Sequence, residues 1–332
     1  AKLTAINAAG LIGAPVLLWA VERQDPKSRA LNPGTGLPED QAILLARYMV
    51  ARWGAHHVVW ILGGDGDYAG PKAARWQAIG RAVFGERHAP VAMHPGGRRW
   101  PYDDLRGEPW LDIAGYQSGH SQEATSLPWL LSGPPATQWA NCPRQAVINL
   151  EPCYENHLSL PSRVPFSADM VRRALYASLL VAPTAGVTYG GHGVRGWDDG
   201  SGPPLEHANT GTPLPWRQAL TMPGAEQIAH LAAIFSAIEW WRLRPAPEMV
   251  ARPPQPADPR QLVMAGRSEA GDLAVVYVSE ERRVELRMDD LRAGLAAQWF
   301  DPRGGSRRPA VAEVAGRYET PGPGDWVLLL HS

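Results

Sequence analysis

The chain has 332 residues, of which 45% are hydrophobic and 20% are charged, and its formal net charge at pH 7 is -1. This composition is ordinary for a globular protein and allows one large domain and one small one. The small net charge and the absence of an apolar run of transmembrane length argue against nucleic acid or a membrane as a partner.

The first two thirds of the chain alternate short apolar runs with longer helical patterns. Residues 1–11 are typical of the end of an amphipathic helix that runs into a strand. We therefore expect an N-terminally truncated chain, whose secretion signal, if it has one, lies in the missing part and would make the protein secreted or periplasmic. Predicted strands cover residues 14–21, 58–62, 90–93, 111–116, 146–150 and 186–189. Predicted helices cover residues 38–53, 71–84, 168–181 and 225–243.

Strands and helices that alternate in this way predict a parallel sheet with helices on its outside. A doubly wound sheet and a barrel both fit the pattern. No Gly-rich phosphate motif follows the first strand, and polar residues follow nearly every strand, which favours a barrel because all its strand ends meet at one mouth. We predict a (β/α)8 TIM barrel over residues 1–244 that lacks its first two strands.

The composition and the hydrophobic pattern of the sequence change after the last predicted helix. A Pro-rich linker is predicted over residues 245–259. Residues 260–332 contain short alternating runs separated by turns, a pattern typical of a small antiparallel β-sandwich. The predicted strands of this domain cover residues 262–265, 273–278, 284–288, 296–300 and 326–330.

Two acidic residues follow strands of the predicted barrel, Glu151 directly and Asp65 after two glycines. Hydrolysis of a glycosidic bond needs two carboxyl groups, one that protonates the leaving oxygen and one that attacks or activates water. Asp65 and Glu151 are the candidates for these roles. The alternatives are a helix cap or turn residue for Asp65 and a salt bridge for Glu151. Asp67 is interpreted as a turn residue or a support, and Glu155 can position the site or act in place of Glu151.

Histidines and other hydroxyl-binding side chains also follow the strands. Each strand-end histidine can be a satisfied structural residue, but three at one mouth favour a role in binding sugar hydroxyls or holding the carboxylates. The chain has 14 Trp and only 4 Phe, and a Trp ring can stack on a sugar as well as fill a core. The predicted substrate-binding residues are His94, Gln117, His120, Glu155, Tyr189, His192 and Trp197.

No metal site or cofactor is expected, because the sequence contains neither an HExxH nor a CxxC motif. The only two cysteines, Cys142 and Cys153, flank one short apolar run. A disulfide between them is one interpretation, but we predict two free, partly buried thiols.

Five ordered motifs resemble the strand-end motifs of the apiosidase-like glycoside hydrolases. They span residues 60–65, 94–97, 117–120, 149–155 and 188–192. The resemblance covers nearly the whole chain and includes a C-terminal module named for collagen binding. It implies a retaining barrel hydrolase in which Asp65 is the acid/base, on strand four of the complete barrel, and Glu151 is the nucleophile, on strand seven. One departure is Leu150, where the family commonly has glycine.

The resulting hypothesis is a retaining glycosidase that acts on a plant-type polysaccharide or its side chains, with carbohydrate as its partner. The alternative is a non-catalytic carbohydrate-binding protein that keeps the barrel fold. A third interpretation is that the C-terminal module binds a protein, which a flat exposed aromatic patch there would support.

Overall fold

The computed structural model describes residues 1–22, 26–85, 87–194, 196–203, 209–251, 258, 261–280 and 282–332. The chain divides into two compact units. The first unit comprises Ala1–Gly119 and Gln138–Leu150, and the second comprises His120–Thr137 and Glu151–Ser332.

A five-stranded sheet forms the centre of the first unit, and its strands lie in chain order. The pairs from the first strand to the fourth are parallel. The strands are β1 (Val16–Trp19), β2 (Trp60–Gly66), β3 (Val91–Pro95), β4 (Ile113–Gln117) and β5 (Ala146–Glu151). The helices of this unit are α1 (Lys2–Ala8), α2 (Pro26–Ala30), α3 (Pro33–Gly36), α4 (Glu39–Trp53) and α5 (Ala73–Val83).

Every position of β3 is buried, as expected of a strand covered on both faces. In the neighbouring strand β2, close packing of two aromatic rings explains why position 63 is a glycine. The rings of Tyr68 and Trp76 contact each other edge to face, with centroids 4.8 Å apart. A β-carbon at Gly63 would lie within 3 Å of both rings, so only glycine fits there.

The second unit contains the remaining long helices and all of the antiparallel strands. Its helices are α6 (Glu123–Ser132), α7 (Pro134–Thr137), α8 (Ala168–Leu180), α9 (Trp216–Ala219) and α10 (Pro223–Ser236). Short 3-10 helices cover Gly70–Lys72 and Trp139–Asn141 in the first unit and Trp240–Arg242 and Pro247–Met249 in the second.

The C-terminal region forms two antiparallel sheets. A six-stranded sheet has the order β11-β10-β13-β8-β7-β6, and β9 pairs with β12. The strands are β6 (Leu243–Pro245), β7 (Val263–Ser268), β8 (Leu273–Val278), β9 (Arg283–Glu285), β10 (Ala296–Phe300), β11 (Arg307–Pro309), β12 (Arg317–Glu319) and β13 (Trp326–His331). Val276 and Leu328 of the large sheet share a buried core with Val284 and Tyr318 of the small one. The predicted antiparallel domain is thus confirmed.

Two local predictions differ from the structure. Val187 forms only an isolated bridge, and the predicted strand at residues 186–189 does not form. This stretch is followed by Gly190 and Gly191, which weaken a strand because they contribute no side chain to its packing. The helix predicted over residues 225–243 ends at Ser236, and Leu243 begins β6.

The start of the predicted linker belongs to folded structure, because Pro245 ends β6 and a 3-10 helix follows. Residues 252–257 and 259 of the predicted linker lie outside the described residues. The proposed domain limits stay a prediction. Within the described residues, no helix has both the length and the hydropathy that crossing a membrane requires.

Both cysteines are free thiols with buried side chains, which confirms the interpretation of Cys142 and Cys153 as unpaired. Burial raises the pKa of Cys153 to about 12, and burial also raises the pKa of Cys142. Neutral thiols are poor nucleophiles, so these cysteines are expected to be unreactive in the folded protein.

The raised pKa of Cys153 predicts how the free energy of unfolding depends on pH. A thiol in the unfolded chain ionises at about pH 8.5, whereas Cys153 keeps its proton up to about pH 12. The free energy of unfolding should therefore fall as the pH rises above about 9, and Cys153→Ala should flatten that fall. Urea denaturation of both proteins from pH 7 to 11 would measure the effect. Equal slopes in both proteins would contradict it.

Candidate active site

The end of β2 carries Asp65 in a left-handed conformation, with φ of 52°. For a residue other than glycine, this conformation is held only where the surroundings impose it. The Asp65 amide donates a hydrogen bond to Nδ1 of His94 over 3.3 Å. Because an amide can only donate, the neutral His94 ring carries its proton on Nε2. A β-carbon at Gly96 would lie 3.5 Å from Asp65 Oδ1, so the carboxylate lies over this glycine.

Asp67, in the same loop, is held by two cations. Its carboxylate lies 2.6 Å from Arg99 Nη1 and 3.2 Å from Lys72 Nζ. Burial raises the pKa of Asp67, but the hydrogen bonds from Lys72 and Arg99 outweigh it and hold the pKa below its ordinary value. These contacts agree with the interpretation of Asp67 as a turn residue or support.

The ends of β4 and β5 are tied together by a buried pair that the sequence analysis did not identify. Asn149 Nδ2 donates to Ser118 Oγ over 2.9 Å, and the Ser118 amide donates to Asn149 Oδ1 over 3.3 Å. A polar Asn149 inside the apolar run of residues 146–150 was the available sign of such a role. The neighbouring Gln117 is also buried, and a β-carbon at Gly97 would lie 2.9 Å from its Oε1.

In the second unit, two predicted site residues, Glu151 and His120, are in direct contact. His120 Nε2 lies 2.9 Å from Glu151 Oε1. The Tyr154 amide donates to His120 Nδ1 over 3.4 Å, so the neutral His120 ring carries its proton on Nε2 and donates it to the carboxylate. The side chains of His120 and Glu151 are 15% and 13% exposed, so the pair is held by the protein and still open to a ligand.

Three histidines lie in a row next to this carboxylate. The rings of His120 and His157 are stacked, with centroids 4.1 Å apart and planes 21° apart. The His192 ring follows, 5.2 Å from that of His157. His192 and His157 are buried, and His192 Nε2 lies 3.2 Å from Thr210 Oγ1. His157 is not among the predicted site residues, because it lies in a loop beyond the strand end and outside the strand-end motifs.

Glu155 and Tyr189 form a separate pair, in which Glu155 is buried and Tyr189 is half-buried. The Tyr189 hydroxyl donates to Glu155 Oε2 over 2.7 Å, and the Gly224 amide donates to the same oxygen over 2.9 Å. Gly224 lies in the first turn of α10, where the helix dipole favours a negative charge. Burial, followed by the hydrogen bond to Glu155, raises the pKa of Tyr189.

Trp197 is the most exposed of the predicted site residues, with 68% of its surface open to solvent. Its backbone is left-handed, with φ of 53°, and its ring contacts Trp216 edge to face at 5.3 Å. The Arg217 guanidinium lies 4.3 Å from the centre of the Trp216 ring. Among the described residues, no group of three His, Cys, Asp or Glu side chains is arranged to hold a metal ion.

Solved structures of similar fold define the class of protein. The chain superimposes on a structure described as a glycoside hydrolase with a TM-score of 0.81 and 20% identity, over 99% of this chain and 75% of that one. A glycoside hydrolase family 5 structure from Bacteroides vulgatus gives a TM-score of 0.79 and 19% identity, over 99% and 72%. A maltogenic alpha-amylase from Thermotoga neapolitana gives 0.54 and 11%, over 99% and 80%. The chain therefore has the fold of a glycoside hydrolase.

Two family models match the chain and identify the family to which it belongs. The model described as "Apiosidase-like, catalytic domain" matches residues 1–242, and the model described as "Putative collagen-binding domain of a collagenase" matches residues 245–331. The chain belongs to the apiosidase-like family and is a glycosidase by that membership, as its strand-end motifs predict. No curated protein matches it.

Proposed function

We propose that the protein hydrolyses glycosidic bonds with retention of configuration, on a plant-type polysaccharide or its side chains, and that its catalytic domain has the (β/α)8 barrel fold. The order of β1 to β5 supports the barrel, because sequential parallel strands are its defining arrangement. Asp65 near the end of β2 and Glu151 at the end of β5 are the proposed pair of carboxyl groups.

The observation that carries this proposal is that Glu151 is hydrogen-bonded to His120 and stays partly exposed. A nucleophilic carboxylate has to be ionised, fixed in direction and open to substrate. The hydrogen bond from His120 Nε2 stabilises the ionised form and fixes one oxygen, and the carboxylate stays partly exposed. A purely structural carboxylate, such as that of Glu155, is buried and uses its oxygen for internal donors.

The proposed reaction has two steps. The Asp65 carboxyl gives its proton to the leaving oxygen while the Glu151 carboxylate attacks the anomeric carbon, so a glycosyl-enzyme ester forms and the glycosidic bond breaks. The Asp65 carboxylate then takes a proton from water, the water oxygen attacks the anomeric carbon, and Glu151 leaves as a carboxylate. That the two carboxyl groups meet over one pocket stays a prediction.

The proposed binding residues divide into two groups by exposure. Trp197 offers an open aromatic face on which the apolar face of a sugar can stack. His94 and His120 are next to the acids and can contact sugar hydroxyls. The buried side chains of Gln117, Glu155 and His192 are proposed to support the walls of the site, together with the half-buried Tyr189.

A screen of aryl glycosides and pectic fragments tests the proposed function, with the first product followed by proton NMR. A retaining enzyme releases a sugar with the anomeric configuration of its substrate. An inverted product would contradict retention. Binding without turnover would favour the alternative, a non-catalytic carbohydrate-binding protein.

Glu155→Gln separates a supporting carboxylate from a reacting one. It removes the charge at the start of α10, and a neutral amide oxygen in place of Oε2 accepts more weakly from Gly224 and Tyr189, so the free energy of unfolding should fall by about 1–3 kcal/mol. Urea denaturation measures the change. Glu226→Gln, an exposed change in the same helical turn, is the matched control. Equal losses in the two variants would contradict a supporting role for Glu155.

A further inference from the structure

His157 lies directly against the histidine that holds the proposed nucleophile. Its ring stacks on that of His120, whose Nε2 lies 2.9 Å from Glu151 Oε1. We propose that His157 is a positioning residue for Glu151 that acts through the orientation of His120. This inference rests on the proposed function, in which Glu151 attacks the anomeric carbon.

The orientation of the His120 ring matters because a hydrogen bond is directional. A donor that points away from its acceptor by more than about 60° contributes little. The His120 ring contacts the ring of Tyr154, with centroids 4.5 Å apart and planes 60° apart, and is stacked on the ring of His157 at 4.1 Å. Together these contacts restrict rotation of the ring, so that Nε2 stays directed at Glu151.

His157 itself is well anchored. Its Nδ1 lies 2.8 Å from the Leu158 carbonyl, which can only accept, so Nδ1 carries the proton. Its amide donates to the Tyr154 carbonyl over 3.2 Å, and its own carbonyl accepts from the Phe166 amide over 3.0 Å. The side chain is buried, and its ring also contacts the ring of His192. His157 is therefore a fixed support for the His120 ring.

The kinetic test compares His157→Leu, which removes the ring, with His157→Phe, which keeps an aromatic face. His157→Leu should lower kcat by about 10- to 100-fold with little change in KM, because a small displacement of a reacting group affects the transition state more than substrate binding. His157→Phe should restore most of the loss. The control is His57→Leu, at an exposed histidine before β2. A wild-type kcat in a folded His157→Leu protein, or no rescue by phenylalanine, would overturn the proposal.

A second readout does not depend on activity. The nitrogen-15 shifts of the His120 ring in the wild-type protein should indicate a proton on Nε2, and in His157→Leu they should move towards the average of the two tautomers. Unchanged His120 shifts in His157→Leu would overturn the proposal. If no glycoside is cleaved by the wild-type protein, the proposed function fails while the ring shifts still decide whether His157 positions His120.

Discussion

Glu151→Gln should lower kcat by roughly 10⁴-fold or more while the protein stays folded, because loss of a nucleophile removes the covalent step. The amide oxygen of glutamine can still accept the hydrogen bond from His120, so the local structure is expected to persist. Initial rates on an activated aryl glycoside measure kcat, and circular dichroism checks the fold. Glu226→Gln, which changes an exposed acid in the same way, should keep wild-type activity.

Chemical rescue separates the two proposed acids. Azide can enter the space left in Glu151→Ala and attack the anomeric carbon directly, which gives a glycosyl azide of inverted configuration. In Asp65→Ala the covalent intermediate still forms, and azide then gives a product of retained configuration. Retained azide product from Glu151→Ala would assign the roles the other way round. Wild-type activity in Glu151→Gln would remove Glu151 from the reaction.

Position along the chain indicates the two proposed acids but not His157. Glu151 directly ends an apolar run, where a charge is costly unless it has a role, and Asp65 follows an apolar strand and two glycines. The structure places both in the last two positions of their strands. His157 lies six residues beyond Glu151 in a loop, and only the folded loop stacks it on His120. A contact that depends on the fold of a loop leaves no periodic pattern in the sequence from which it could be predicted.

Two elements form in spite of a proline: α6, which no predicted helix covers, and β6, at the start of the predicted linker. Pro128 is a helix breaker by its chemistry, yet it lies inside α6. Tertiary contacts hold this helix, since Leu127 and Leu130 are buried and Glu123 is paired with Arg173 at 2.6 Å. Pro245 suggested a linker, but β6 is an edge strand, where a missing amide donor is tolerated.

The described part of the C-terminal sheets has no flat exposed aromatic patch, the feature that would support binding of a protein. All five aromatic side chains after residue 260 are buried: Tyr277, Trp299, Phe300, Tyr318 and Trp326. Tyr277 is instead stacked on Tyr176 of α8, with centroids 4.7 Å apart and planes 9° apart. In this respect, the aromatic residues of the module serve to build its core and its contact with α8.

A buried ion pair strengthens that contact and should give the largest loss of stability. Arg172 of α8 donates from Nε to Asp325 Oδ2 over 2.5 Å and from Nη2 to Oδ1 over 2.7 Å, and the Tyr277 hydroxyl donates to Asp325 over 2.9 Å. Asp325 and Arg172 are only 3% and 5% exposed. Asp325→Ala leaves the guanidinium buried without its partner, so the free energy of unfolding should fall by about 3–5 kcal/mol.

Urea denaturation of Asp325→Ala and of a matched surface variant would test this expectation. Asp103 and Arg106 form an ion pair at 2.8 Å whose side chains are each 56% exposed, so Asp103→Ala should change stability by less than about 1 kcal/mol. Replacing both members of the buried pair, as Arg172→Met with Asp325→Leu, should recover much of the loss, because no charge is then left buried. If Asp325→Ala is no more destabilising than Asp103→Ala, the pair does not hold α8 to the sheet. If the double variant is as unstable as the single one, the loss comes from altered packing around Tyr277 rather than from an unpaired charge.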